Sequence, residues 1–312
     1  MKKYSLCCIS MKLQSRGIKS STMTRKSFLS MDRAAAINTV SKRTLNNIKV
    51  VKETLNYCAD KKWNYRIGGG IMPLQTLPEA NLSYDVLPDK DEIKNEYSAC
   101  KDIIATNKIR CSTHPDQYTV IASIHNNVVE NSIIDLNCHA DMMDLFGLSQ
   151  SYDSPINIHM NSYKGENLKV IADRFISVYK RLNVNVKSRL VLECEDKPNS
   201  WNTKQLYTYI YQEVGIPITY DSLHHRNNTG GLTEQEAYNL ARSTWGSYTP
   251  LFHFSDTDTS LDNPRAHADY PTELHSEFVN DDELHLECEF KMKDHAIDYL
   301  ENKINNPIDK SL

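Results

Sequence analysis

The sequence predicts an α/β protein folded as a single (β/α)8 barrel, the TIM-barrel architecture, and three observations lead there. Eight short apolar runs of strand length recur along the 312 residues. Longer segments with apolar residues at helical spacing separate most of them. The runs are apolar throughout rather than alternating, as strands of a parallel sheet covered on both faces are. A barrel of this kind takes roughly 250 residues. The chain therefore reads as one domain over 1–312, with a core at about 4–300, a short C-terminal tail and long loops after strands 1 and 7. A doubly wound open sheet would use the same alternation. No G-x-G-x-x-G follows a strand, however, and Gly68-Gly69-Gly70 is too little to mark a phosphate site.

The elements follow in order. Lys2, Lys3 and the apolar run 4–9 imitate a signal peptide, but Ser5 and Ser10 interrupt it and no small-residue cleavage site follows. The run reads as the first strand, and the cytoplasm is the expected compartment. Loop 10–41 comes next. The helix predicted at 43–60 places Leu45, Ile48, Val51 and Leu55 near one face. Strands at 64–67, 109–112, 156–159, 190–193 and 218–221 alternate with helices at 91–106, 128–146, 166–182, 203–214 and 233–241. The seventh strand, 251–254, leads into the weakly patterned loop 255–282. Strand 284–290 and helix 293–304 close the series. There is no internal repeat and no low-complexity segment.

Composition narrows the function. Apolar residues make up 40%, enough to fill a core and too many for a disordered chain. No stretch approaches the roughly 20 apolar residues that a bilayer span needs, so no membrane association is expected. The formal charge of −4 offers no global steering toward nucleic acid, although a local basic rim would suffice. None of the 8 cysteines forms C-x-x-C, and Cys111, Cys194 and Cys288 lie inside apolar runs. They read as reduced core thiols, not as a zinc-finger framework.

The chemistry gathers at strand ends. His114 closes the third run, His159 the fourth, Glu193 the fifth, and Asp221 the sixth with His224 just beyond. The seventh carries His253 and is followed by His267, and the eighth carries Glu287 and Glu289. In a barrel these ends converge on one mouth, where active sites are built. A single histidine at a strand end is ordinary. Six successive strands ending in imidazole or carboxylate form a pattern that suits Zn2+ or Mn2+, with carboxylates able to bridge ions. His125, His139, His225, His275, His285 and His295 lack this placement and read as surface or structural residues. A metal cluster there can lower the pKa of bound water and stabilise charge on a phosphate oxygen, or polarise a sugar carbonyl. Composition alone leaves both open.

The motifs Tyr65-Arg66-Ile67, Thr113-His114-Pro115-Asp116-Gln117-Tyr118, Asn157-Ile158-His159, Leu192-Glu193-Cys194-Glu195-Asp196, Asp221-Ser222-Leu223-His224-His225, His253-Phe254-Ser255, Arg265-Ala266-His267-Ala268-Asp269-Tyr270 and Glu289-Phe290-Lys291-Met292-Lys293-Asp294 occur in this order. Together they resemble the UV damage endonucleases, TIM-barrel enzymes related to the endonuclease-IV-like apurinic nucleases. The resemblance runs from about residue 4 to about 299. It implies cleavage of the phosphodiester 5′ of a UV photolesion in double-stranded DNA, with no obligate protein partner. It implies two or three divalent ions, manganese above all and zinc as the other option. His114, His159, Glu193, Asp221, His224, His253, His267 and Glu289 would be the ligands, with Glu193, Asp221 and Glu289 central to catalysis. Glu289 is preferred to Glu287 because Glu-Phe-Lys-Met-Lys-Asp fits the family's Glu-x-Lys-x-Lys-Glu pattern without a gap. Gln117-Tyr118 would wedge into the duplex where the lesion is flipped out, which costs least at a poorly stacked site. Arg66 and Lys291 would contact phosphate or pair with site carboxylates.

The chain departs from the family's pattern in places. Leu77 stands where the family has a metal-binding His after the second strand, and Leu251 where it has a carboxylated Lys two residues before His253. Asn161-Ser162 replace a Gly-Gly pair, and Cys194 replaces the usual Asn. None of Leu6, Cys7, Cys8 and Ser10 matches the family's first-strand residues securely. The losses point to fewer ions or an altered lesion range. The alternatives are a lesion-binding protein that has lost catalysis, and a metal-dependent sugar isomerase or epimerase on the same barrel.

Overall fold

A computed structural model describes residues 3–161 and 165–305; Ser162 of the substituted pair lies outside them. Eight strands form one parallel sheet: β1 Lys3–Cys7, β2 Asn64–Ile67, β3 Cys111–Thr113, β4 Ile156–His159, β5 Leu190–Glu193, β6 Ile218–Thr219, β7 Leu251–Phe254 and β8 His285–Cys288. Their order is β6-β5-β4-β3-β2-β1-β8-β7. A single parallel bridge, Asp221 to His253, joins the two outer strands and closes the barrel. The eight predicted strands are all present, and helices surround them. Among the described residues no helix is long and apolar enough to cross a membrane.

Two of the boundaries that differ from expectation do so for a clear local reason. The helix predicted at 43–60 runs over Arg33–Lys61. Asp32 caps it by accepting from the Ala35 amide, and the alanines that follow suit a helix although they lack large apolar side chains to mark one. The preceding segment is not a plain loop either, since it holds short helices at Met11–Ser15 and Arg25–Leu29. The sixth strand stops at Thr219, two residues short of the predicted 221. Asp221 there turns to cap the helix Ser222–Asn227, its carboxylate accepting from the His224 amide at 2.7 Å. That turn places Asp221 and His224 together.

Register sets the levels of the mouth. His159 pairs with Glu193 across β4 and β5, and His253 pairs with Glu287 across β7 and β8. Successive strand residues point to opposite faces, so Asn157 shares its side with His159, and Glu287 with Glu289. Leu251 lies buried one level below His253, and Leu77 is half-buried against the core. Both substitutions for polar family residues have therefore been absorbed as packing.

Candidate active site

Glu193 is the hub. Its Oε2 lies 3.0 Å from His114 Nε2 and 3.6 Å from His159 Nε2, and accepts from the Asn157 amide. Its Oε1 lies 3.0 Å from His224 Nδ1 and 3.1 Å from His253 Nδ1. His253 continues the cluster, with Nε2 3.1 Å from Glu287 and Nδ1 3.3 Å from Glu289. Arg66 pairs through Nη1 with Glu287 at 3.0 Å and with Glu289. Ser112 donates to Glu287. His267 sits farther out on the loop after β7, its Nδ1 2.7 Å from the Glu289 backbone oxygen. An isolated bridge between Thr257 and His267 holds that loop against itself. The predicted His and carboxylate residues thus converge, with His267 at the rim.

Burial and charge set the protonation. Burial alone would raise Glu193, yet His253, His159, His114 and His224 hold it well below the usual carboxylate range. Burial likewise opposes ionisation of Glu289, and Arg66 and His253 keep it low. Asp221 is pushed up by burial. His253 and His224 rise above the ordinary imidazole value despite burial, because of Glu193 and Glu289 for the first and Asp221 and Glu193 for the second. His159 is pushed down to about 3, by burial first. Glu195, just past the hub, is pushed up to about 7 by burial.

The donor set suits divalent ions. His114, His159 and Glu193 place one ligand atom each within 4.8 Å of one another. So do Glu193, Asp221 and His224, and Asp221, His253 and Glu289. Glu193 and Asp221 are each shared by two groups, as bridging carboxylates are. The His159 Nδ1 is buried without a hydrogen-bond partner. Four carboxylates crowd a largely buried space in which Arg66 is the permanent cation among these residues, an arrangement that bound cations would relieve.

Sequence reasoning underweighted four groups. Glu287 belongs to the mouth as fully as Glu289, and spacing by two residues already allowed both. Asn157 carries the same signal relative to His159. Cys7 forms a further candidate group with Glu287 and Glu289, but nothing set it apart from the core cysteines. Arg66 proves to be the counter-charge of both glutamates.

Gln117 and Tyr118 do not join the cluster. They lie on the connection from β3 to the helix Asn126–Leu145, and Tyr118 is 79% exposed. The segment is pinned on both sides. Thr119 donates to Asp135 at 2.6 Å and the Val120 amide to Ser132 at 2.8 Å. Asn161 donates to the Gln117 carbonyl at 3.2 Å, and Arg174 to that of Ala122 at 2.6 Å. An exposed aromatic ring on an anchored loop is fit to insert between base steps.

Known proteins resemble this chain over most of its length. Residues 2–310 match the family described as UV-endonuclease UvdE. A UV DNA damage endonuclease of Nostoc sp. (strain PCC 7120 / SAG 25.82 / UTEX 2576) is 28% identical over 287 residues, covering 89% of this chain and 84% of its own. That of Bacillus cereus (strain Q1) is 29% identical over 252 residues, covering 80% and 76%. The crystal structure of SacUVDE superposes with a TM-score of 0.80 at 27% identity, covering 95% of each chain. With the match extending over nearly its whole length, the chain belongs to the UV-endonuclease UvdE family.

Proposed function

We propose that this protein is a divalent-metal-dependent DNA repair endonuclease that cuts the phosphodiester 5′ of UV photolesions. The observation that carries the reading is Glu193, a buried carboxylate shared by His114 and His159 on one side and by Asp221 and His224 on the other. Manganese suits this mixed imidazole and carboxylate set, and zinc is the alternative. His114, His159, Glu193, Asp221, His224, His253, His267 and Glu289 would hold two ions. Leu77 and Leu251 offer no ligand for a third. Bound there, the ions would supply an activated water and neutralise the charge that develops on the phosphate.

The chain's own residues do the rest. Asn157 fixes one oxygen of Glu193 and so orients the hub. Arg66 holds Glu287 and Glu289 ionised and in place. Tyr118 and Gln117 enter the duplex and keep the lesion out of the stack, a step whose cost is lowest where stacking is already damaged. The family relation favours this nuclease over a sugar isomerase.

Nicking of supercoiled plasmid with Mn2+ tests the reading. Irradiated plasmid should be nicked and undamaged plasmid spared. Tight binding to irradiated DNA without nicking, in protein shown to hold metal, would replace the nuclease with a lesion-binding protein.

A further inference from the structure

The loop after β7 carries His267 to the rim and returns to the short helix Ser276–Val279. At the start of that loop Asp256 is only 4% exposed, a degree of burial that an aspartate tolerates only when it is well paired. Its partners come from three directions. The backbone oxygen accepts from the Ala268 amide at 2.7 Å, next to His267. Farther along the returning limb, the Thr272 amide and hydroxyl donate to Oδ2 at 2.9 Å and 3.2 Å, and His275 Nε2 lies 2.6 Å from Oδ1. Arg226 Nη1 reaches Oδ1 at 3.4 Å from the helix Ser222–Asn227, which also bears His224. Burial would raise the Asp256 carboxyl, yet His275 and Thr272 hold it below the ordinary value.

The clamp is itself fixed. The His275 ring stacks on Phe278 at 5.8 Å and meets Phe254 edge-on at 4.8 Å. Past Asp256 the loop pairs with itself through the Thr257–His267 bridge, and Lys291 ties it to the segment after β8 by donating to the Ala268 carbonyl at 3.0 Å. Asp256 supplies the opposite tie, toward β7 and the helix of His224. Between the two ties the His267 ring stands 6.3 Å, centroid to centroid, from that of His224. With its Nδ1 on the Glu289 carbonyl, His267 keeps the Nε2 lone pair for a cation.

We propose that Asp256 is a positioning residue for the cation site: clamped by His275, Thr272 and Arg226, it sets His267 against His224, so that the rim imidazole reaches the ion group to which His224 belongs. The proposal rests on the metal reading above. A carboxylate that touches no ligand directly acts here through the backbone, by fixing where the loop presents its histidine.

Titration of the full-length protein with Mn2+, with free Mn2+ read by electron paramagnetic resonance, tests this. Asp256→Asn should weaken binding of one Mn2+ about 10-fold, the scale on which a residue that orients a ligand acts. His267→Ala should weaken the same Mn2+ at least as much. Adding Asp256→Asn to it should then change the affinity by less than about twofold, because two residues that act through one ligand are not additive. His275→Leu should match Asp256→Asn, whereas His275→Gln, whose amide still donates to Asp256, should stay close to wild type. In metal-free Asp256→Asn, hydrogen exchange at the Ala268 amide should quicken. Wild-type Mn2+ affinity in Asp256→Asn, losses that multiply in the double variant, or unchanged exchange at Ala268 would each overturn the proposal. Unchanged affinity in His267→Ala would take His267 out of the ligand set and the proposal with it. Wild-type protein that holds no Mn2+ would overturn the metal reading itself, before any variant is compared. If Asp256→Asn fails to fold, His275→Leu and His275→Gln carry the same comparison.

Discussion

Two arginines mark opposite ends of the barrel. Arg189, fully buried just before β5, donates to the carbonyls of Ser149, Ala140, Asn185 and Leu148 and to the Asp144 carboxylate. Its guanidinium is saturated by backbone, and it ties the start of β5 to the helix Asn126–Leu145 and the turn after it. Arg66, in the mouth, faces Glu287 and Glu289, and its Nε is buried without a partner. The first arginine finishes a structure. The second balances charge in a place built to hold more charge than it brings. Saturated donors mark where the fold is secured, and crowded carboxylates mark where a bound cation would be stabilised.

The sharpest break of this contrast is Glu193→Gln, which keeps shape and removes the shared charge. Incision of irradiated plasmid should fall about 10³-fold or more, the scale of losing a principal electrostatic group. Bound manganese should fall with it while circular dichroism stays unchanged. Full activity in that variant would remove Glu193 from the centre of the site. At the other end, Arg189→Met should cost about 3 kcal/mol of stability by stranding Asp144 and several buried carbonyls. Urea denaturation reads that loss, and incision per folded molecule at 25 °C should not change.

Arg66→Met tests the comparison directly. It removes the permanent counter-charge of Glu287 and Glu289, and metal-free protein should lose about 2 kcal/mol. Added Mn2+ should restore more stability to this variant than to wild type, whereas Arg189→Met should gain no such excess. Equal metal responses in both variants would end the distinction between the two arginines. The smallest effect concerns Asp281, which is not among the candidate ligands. Burial would raise its carboxyl, but Arg242 and the Tyr238 hydroxyl hold it below the ordinary carboxylate value. The folded state therefore binds this proton more weakly than the unfolded state. Its stabilisation is complete above the ordinary range near pH 4 and disappears as pH falls through the lowered value. Melting temperature followed from pH 6 to pH 3 should drop more steeply in wild type than in Asp281→Asn.

Much of the barrel was legible because buried parallel strands leave continuous apolar runs, and the candidate site was legible because strand ends share one mouth. What escaped detection did so for physical reasons. The helix Arg33–Lys61 begins on alanines, which favour helix without the bulky stripe that periodicity detects. Cys7 and Asn157 are ordinary strand residues until register sets them beside Glu289 and Glu193. Spacing can reveal residues that share an element. It cannot reveal a partner that another strand brings in through the register.

The lone bridge between Asp221 and His253 has a mechanical consequence. Every neighbouring pair of strands around the sheet is joined within the ladder except β6 and β7, which meet at this one point. Both bridging residues belong to the same candidate ion group as Glu289 on the β8 side. A cation seated there would clasp this seam, coupling closure of the cylinder to completion of the ion group.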